Sequence, residues 1–180
     1  MNGTNLPPIR LSTPLDREEI RKLRAGNRVL LNGTVLVFRD QVHRILSEMI
    51  RRGEELPFEL SNQALYYCGP TPPMYGMPVG AAGPTTSSRM DPFTGPLLAR
   101  GLAMTIGKGE RSPEVAELHR AYGAVYMVAA GGVGALMAKH ITAAEVIAFP
   151  ELGPEAAYRF TVADMPLIVG YDTEGGSAFR

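Results

Sequence analysis

The sequence predicts an α/β domain, a mixed sheet with helices packed against it, ending in an antiparallel element. Three observations carry that class. Short runs rich in Val, Leu, Ile and Tyr alternate with segments whose apolar residues recur at helical spacing. The last strand-like runs follow one another without a long helical segment between them. Hydrophobic residues make up 45% of 180 residues, enough for one full core and too short a chain for two generous domains.

The elements follow in order. Residues 1–8 read as a flexible N-terminal tail, and 9–180 as a single domain. Ile9–Thr13 alternates and predicts a short strand. Asp16–Arg24 is a charged helix with Asp16 at its N-cap and Gly26 just past its end. Arg28–Phe38 is the strongest strand, and Asn32-Gly33 within it marks a hairpin turn or a bulge. Gln41–Arg52 sets Val42, Ile45, Leu46, Met49 and Ile50 on one stripe, a helix stopped by Gly53. Ala64–Cys68 is a short apolar strand ending in Gly69-Pro70. The segment 71–92, TPPMYGMPVGAAGPTTSSRMDP, is too long for a mere connection and is read as a functional loop. Leu97–Ala99 falls in a helix and Ala103–Ile106 in a strand. Pro113–Tyr122 predicts a helix with Pro113 at its first position. A strand over Ala124–Ala129, a helix over Gly134–His140 and strands over Glu145–Phe149, Tyr158–Val162 and Leu167–Tyr171 complete the chain.

Composition excludes several function classes. Eighteen Lys and Arg balance 18 Asp and Glu. That argues against a nucleic-acid binder, which works by phosphate neutralisation. No apolar run is long enough for a membrane span, and the N-terminus lacks the apolar core of a signal peptide. A single cysteine, Cys68, excludes an internal disulfide and fits a cytoplasmic protein. Cys68 with three scattered histidines makes no metal cage, so no metal ligand is assigned to this chain. Cys68 lies in an apolar strand and reads as core. The run Ala130–Ala135 lacks dinucleotide-motif spacing and reads as tight strand-to-helix packing.

Three segments carry candidate chemistry. In Gly83–Asp91, four successive hydroxyl residues (Thr85, Thr86, Ser87, Ser88) follow a Gly-Pro turn and precede Arg89 and a helix start. Hydroxyls and free N–H groups beside a planar guanidinium suit a carboxylate. The same residues also fit a hydroxyl N-cap in a surface loop. In Gly107–Ser112, glycines on both sides of Lys108 let the backbone approach a ligand, or make an exposed turn. Arg39 and Asp40, with His43, sit where a strand gives way to a helix, a common ligand position in α/β folds. Together Arg39, Arg89 and Lys108 form an anion-binding set without an evident base or nucleophile.

These segments resemble the β subunit, or C-terminal domain, of class I fumarate hydratase and L-tartrate dehydratase, the iron–sulfur hydro-lyases. The resemblance rests on GNRVLLNGTVLVFRDQVH (Gly26–His43), YYCGP (Tyr66–Pro70), GPTTSSRMD (Gly83–Asp91), IGKGERS (Ile106–Ser112), AAGGVGALMAKHI (Ala129–Ile141) and FPELGPEA (Phe149–Ala156), in family order. GPTTSSRMD and the GKG segment at that spacing are the specific ones. The resemblance implies a swivelling β/β/α domain. It implies reversible hydration of fumarate to (S)-malate, with activity only alongside an α subunit that carries a [4Fe–4S] cluster. One cysteine cannot supply such a cluster. By motif match Arg39, Arg89 and Lys108 hold substrate carboxylates and Thr85 takes the place of the base. Thr86 is a further substrate contact, and Asp40, His43, Ser87 and Asp91 are supporting residues. A higher oligomer such as α2β2 is expected. Ser87-Ser88 replaces an Ala-Gly common in the family, and Glu110 replaces an Asn, which bears on substrate identity. Tartrate or a related dicarboxylate is the alternative substrate; a stand-alone dicarboxylate-binding module is the non-enzyme alternative.

Overall fold

A computed structural model describes residues 7–129 and 134–179. The chain opens on β1 (Ile9–Ser12), α1 (Arg17–Lys22) and β2 (Arg28–Val37), followed by α2 (Asp40–Arg51) and β3 (Ala64–Tyr66). A long loop then leads into a 3-10 turn (Ser87–Met90) that runs directly into α3 (Asp91–Ala99). Next come β4 (Met104–Gly107), α4 (Pro113–Ala121), β5 (Val125–Val128) and α5 (Gly134–Ala138). The chain closes with β6 (Ile141–Ala148), a second 3-10 turn (Pro150–Glu155) and β7 (Ala157–Tyr171).

The sheet is mixed, as the alternation predicts. β1, β2, β3, β4 and β5 pair in parallel, while β7 runs antiparallel to β2, β5 and β6. Because β7 pairs with both β2 and β5, the ladder β2–β3–β4–β5–β7 closes on itself, with β1 and β6 appended. Closure pairs the ladder's own strands on both sides and leaves the outer edges of the sheet to β1 and β6.

Strand alternation sorts the core into two clusters. Ala64, Tyr66 and Cys68 join Leu31, Val35, Val37, Ile106, Met127 and Phe160 in one. Leu65 and Tyr67 point the other way and join Phe38, Val42, Leu46, Met90, Leu97 and Leu98 beneath the helices. On that side α2 packs on α3 and α3 on α4. Asp16 caps α1 as expected, accepting from Glu18 N at 2.8 Å, and Pro113 opens α4 as expected, with Ser112 before it accepting from Val115 N.

The structure settles one open reading and corrects others. Of the hairpin turn and the bulge open at Asn32-Gly33, the bulge is the one formed: the β2–β7 register slips between Leu31 and Gly33. Gly33 has φ 97° there, and an added Cβ would lie 2.4 Å from Thr13 Oγ1. The two C-terminal strands are one, β7. Asp164 takes φ 49° in its middle and is pinned by Asn32, whose Oδ1 accepts from Asp164 N at 2.9 Å. Pairing with β2 therefore continues on both sides of the irregularity. β6 starts at Ile141 rather than Glu145, and the helix placed around Leu97 begins at Asp91, at the helix start expected after Arg89. Residues 1–6 of the expected tail and 130–133 of the glycine run lie outside the described residues.

Candidate carboxylate-binding site

Parallel strands put their carboxyl ends on one edge, and ligands bind there in α/β sheets. Three segments leave that edge here. Arg39 lies two residues past β2, Gly69 three residues past β3, and Lys108 one residue past β4. The hydroxyl loop is laced onto the same edge. Thr85 N donates to Tyr67 O at 2.7 Å, Thr86 forms a parallel bridge with Lys108, and Ser87 N donates to Lys108 O at 3.0 Å.

The result is an open cleft of about 470 Å³. Arg39, Thr85, Thr86, Arg89 and Lys108 line it, and Gly69, Gly83, Pro84 and Gly134 supply backbone surface. Every residue expected to hold substrate or to act as base thus reaches one concavity. The glycines matter because side chains would obstruct it. A Cβ at Gly69 would lie 3.0 Å from Arg39 Nε, and one at Gly134 would lie 3.2 Å from Gly83 N.

The guanidiniums are oriented from outside the cleft. Arg89 donates from Nε and Nη2 to Asp40 Oδ1 and Oδ2 at 3.0 and 2.9 Å, a bidentate pair. That leaves the other edge of its fork for a ligand. Arg39 Nε lies 3.2 Å from Glu155 Oε1. Lys108 makes no ion pair among the described residues. Three cations facing two carboxylates leave a net charge of one in and around the cleft, favourable to an anion. Thr85 is half-buried, and its hydroxyl has no partner among the described residues.

The four expected supporting residues do not line the cleft. Asp40 stands behind Arg89 and is the first residue of α2, with Arg39 at the N-cap. His43 is fully buried, packed edge-on against Phe38 and Tyr67, and its Nδ1–H donates to Arg39 O at 2.9 Å. Burial pushes its pKa down to about 4, so the ring is neutral near pH 7. Ser87 is buried against Gly107 and hydrogen-bonded with Tyr126 Oη at 2.9 Å. Asp91 accepts from Arg111 Nε at 2.6 Å and from Ser112 N at 2.9 Å.

Arg111 was not singled out by the sequence, although its segment was. Its side chain is 0% exposed. Nη1 donates to Tyr67 Oη at 3.2 Å and Nη2 to Thr94 Oγ1 at 2.7 Å, and the guanidinium lies 5.3 Å from the ring centres of Tyr67 and Tyr126. It ties the Lys108 loop to the start of α3, and so holds the two sides of the cleft together.

The described residues do not fit an iron–sulfur cluster. No group of three His, Cys, Asp or Glu that could hold a metal gathers among them. Cys68 is buried, and burial pushes its thiol up to about 12, far from the thiolate a cluster needs. Nor is any described helix long and apolar enough to cross a membrane.

The family model described as Fumarase C-terminus matches residues 2–180. Fumarate hydratase 2 of Leishmania major is 35% identical over 97% of this chain and 33% of its own length. The anaerobic class I fumarate hydratase of Escherichia coli (strain K12) is 37% identical over 86% of this chain and 29% of its own length. The chain therefore spans about a third of those relatives. A protein of Methanocaldococcus jannaschii named as a putative L(+)-tartrate dehydratase subunit beta is 33% identical over 92% of this chain and 88% of its own length.

Proposed function

The chain belongs to the Fumarase C-terminus family, with relatives named as fumarate hydratases and as a putative L(+)-tartrate dehydratase subunit beta, and from that premise we propose that it is the β subunit of a two-subunit enzyme interconverting fumarate and (S)-malate. The observation that carries this reading is the cleft in which Arg39, Thr85, Thr86, Arg89 and Lys108 meet at the carboxyl edge of the parallel strands.

In this reading Arg39, Arg89 and Lys108 grip the two carboxylates of a small diacid, and Thr86 donates a hydrogen bond to one of them. Planar forks fix carboxylate orientation, and the ammonium adds a point charge. Fixing both ends presents the C3 proton to one face of the cleft. Thr85 holds or moves that proton. A threonine hydroxyl is a weak base, and no basic side chain bonds to it among the described residues, so its proton acceptor is supplied by the partner. The [4Fe–4S] cluster expected for this chemistry is assigned to the α subunit, because the described residues offer no ligand set for it.

One observation favours a second substrate. The relative whose length the chain nearly matches is named for L(+)-tartrate dehydration. Both readings share the subunit role and the dicarboxylate. The test is to co-express the chain with a cysteine-bearing α-type partner anaerobically and assay malate and L-tartrate side by side. Turnover of malate above tartrate is expected, the reverse selects tartrate, and no turnover of either by an intact assembly sinks the enzyme reading. Tight dicarboxylate binding by a chain that assembles with no such partner would instead select the stand-alone module.

A further inference from the structure

We propose that Glu155 is a positioning residue for Arg39, holding its guanidinium so that the terminal edge faces the substrate carboxylate; this rests on the role given to Arg39 above. Glu155 does not line the cleft. It ends the second 3-10 turn, and that turn is fastened in place. Phe149 and Leu152 pack on the core cluster beneath the helices. Gly153 kinks the turn, and its carbonyl accepts from Ala156 N at 3.0 Å and from Tyr158 Oη at 2.9 Å. A carboxylate on such a turn is a fixed charge rather than a loop charge.

Arg39 needs one. Its side chain is 31% exposed, and an added Cβ at Gly69 would lie 3.0, 3.1 and 3.5 Å from its Nε, Cζ and Nη1. One face of the guanidinium therefore rests on backbone. Its buried Nε has no hydrogen-bond acceptor among the described residues, because Glu155 Oε1 at 3.2 Å sits off the N–H direction. Charge attraction to Glu155 is what keeps the Nε side turned away from the cleft, and the Nη edge is left for a ligand. The arrangement repeats that of Arg89, whose Nε side is turned onto Asp40. Each cleft arginine is thus backed by a carboxylate that the ligand does not touch. Without Glu155, the long side chain is disordered before binding, and ordering it weakens affinity more than it slows chemistry.

The test has two arms. In the full chain carrying 15N-arginine, the Nε–Hε resonance of Arg39 is assigned by its loss in Arg39→Lys. Glu155→Gln should shift that resonance and speed its exchange with water while leaving the Arg111 resonance in place. An unmoved Arg39 resonance overturns the proposal. In the assembled enzyme, Glu155→Gln should raise KM for fumarate about tenfold with kcat within about twofold, as expected when one interaction with a charged group is lost. Glu155→Asp should recover most of it. A fall in kcat at unchanged KM overturns the proposal as well. If the wild-type assembly turns over no dicarboxylate, the enzyme reading fails, while the resonance still decides whether Glu155 orients Arg39.

Discussion

Gly107 ends β4 beneath the cleft, and replacing it with alanine tests how tightly the hydroxyl loop is seated. The added Cβ would lie 1.9 Å from Ser87 Oγ, 2.9 Å from Tyr67 Cδ2 and 3.2 Å from Ser87 Cβ. Neither neighbour has room to withdraw. Tyr67 and Ser87 are both fully buried, and Ser87 N is bonded to Lys108 O at 3.0 Å. Overpacking of this kind costs about 2–3 kcal/mol. For a domain of this size that lowers Tm by roughly 4–12 °C. Ser87→Ala alone loses the hydroxyl bonded with Tyr126, which keeps Gly109 O as an acceptor at 2.6 Å. Its cost is about 1 kcal/mol. In the double variant the 1.9 Å contact no longer exists, and the closest remaining approach is 2.9 Å to Tyr67. The two changes should therefore couple, the pair costing about 1–2 kcal/mol less than the sum of the singles. Urea unfolding followed by circular dichroism measures all four corners of the cycle. Strict additivity, or a Gly107→Ala protein as stable as the parent, would show that Ser87 does not fill the space over Gly107 and refute the packing argument.

Other changes separate site from scaffold. Arg89→Ala should lower turnover of the assembled enzyme by about 100-fold or more through lost substrate orientation. Its stability should move by under about 1 kcal/mol, since the Asp40 pair is half exposed; surviving turnover would reduce Arg89 to a helix-start charge. Arg111→Met should do the opposite first: stranding the half-buried Asp91 and emptying the fully buried guanidinium site costs about 3 kcal/mol, read as a drop in urea midpoint before any assay. Stability should also fall with acid. His43 and His119 are buried with pKa values lowered by desolvation to about 4 and about 3. Between the unfolded value near 6.5 and those folded values, the unfolded chain binds more protons. The contribution of the neutral rings is complete above about pH 6.5 and is lost as pH falls, at up to roughly 1 kcal/mol per pH unit for each ring. Unfolding free energies that stay flat from pH 7 to 5 would contradict that.

What the sequence revealed was what depends on neighbours in sequence. Alternation of apolar residues marked the strands, and the ends of those strands marked Arg39 and Lys108. The closure of the ladder was not legible, because it depends on β7 pairing with two strands far away in the chain. Nor was the continuity of β7 visible. Ala163-Asp164-Met165-Pro166 reads as a break until Asn32 is seen holding Asp164 from β2. Side-chain direction was lost for the same reason. Thr86 and Ser87 look equivalent in a row of hydroxyls. Bridging to Lys108 gives them opposite faces, so Thr86 meets the cleft while Ser87 goes under it. Arg111 looked like a charge in an exposed turn, and only Asp91, Thr94 and Tyr67 from other elements make it a buried hub.

The charges around the cleft argue for assembly on their own terms. Arg39 and Arg89 are each matched by a carboxylate, Glu155 and Asp40, so their orientation is settled before a ligand arrives but much of their charge is already neutralised. Of the three cleft cations, Lys108 is the one with no ion-pair partner among the described residues. A dicarboxylate brings two negative charges to a site whose net surplus is one, and the site is open to water, where such interactions are weakest. This chain thus supplies direction more than binding strength. In the proposed reading, the missing charge and the exclusion of water come from a partner surface that closes over Thr85, Thr86 and Lys108. That is the part the α subunit plays in the reading proposed here, and it is why removing an orienting carboxylate should register in the assembled enzyme rather than in the fold.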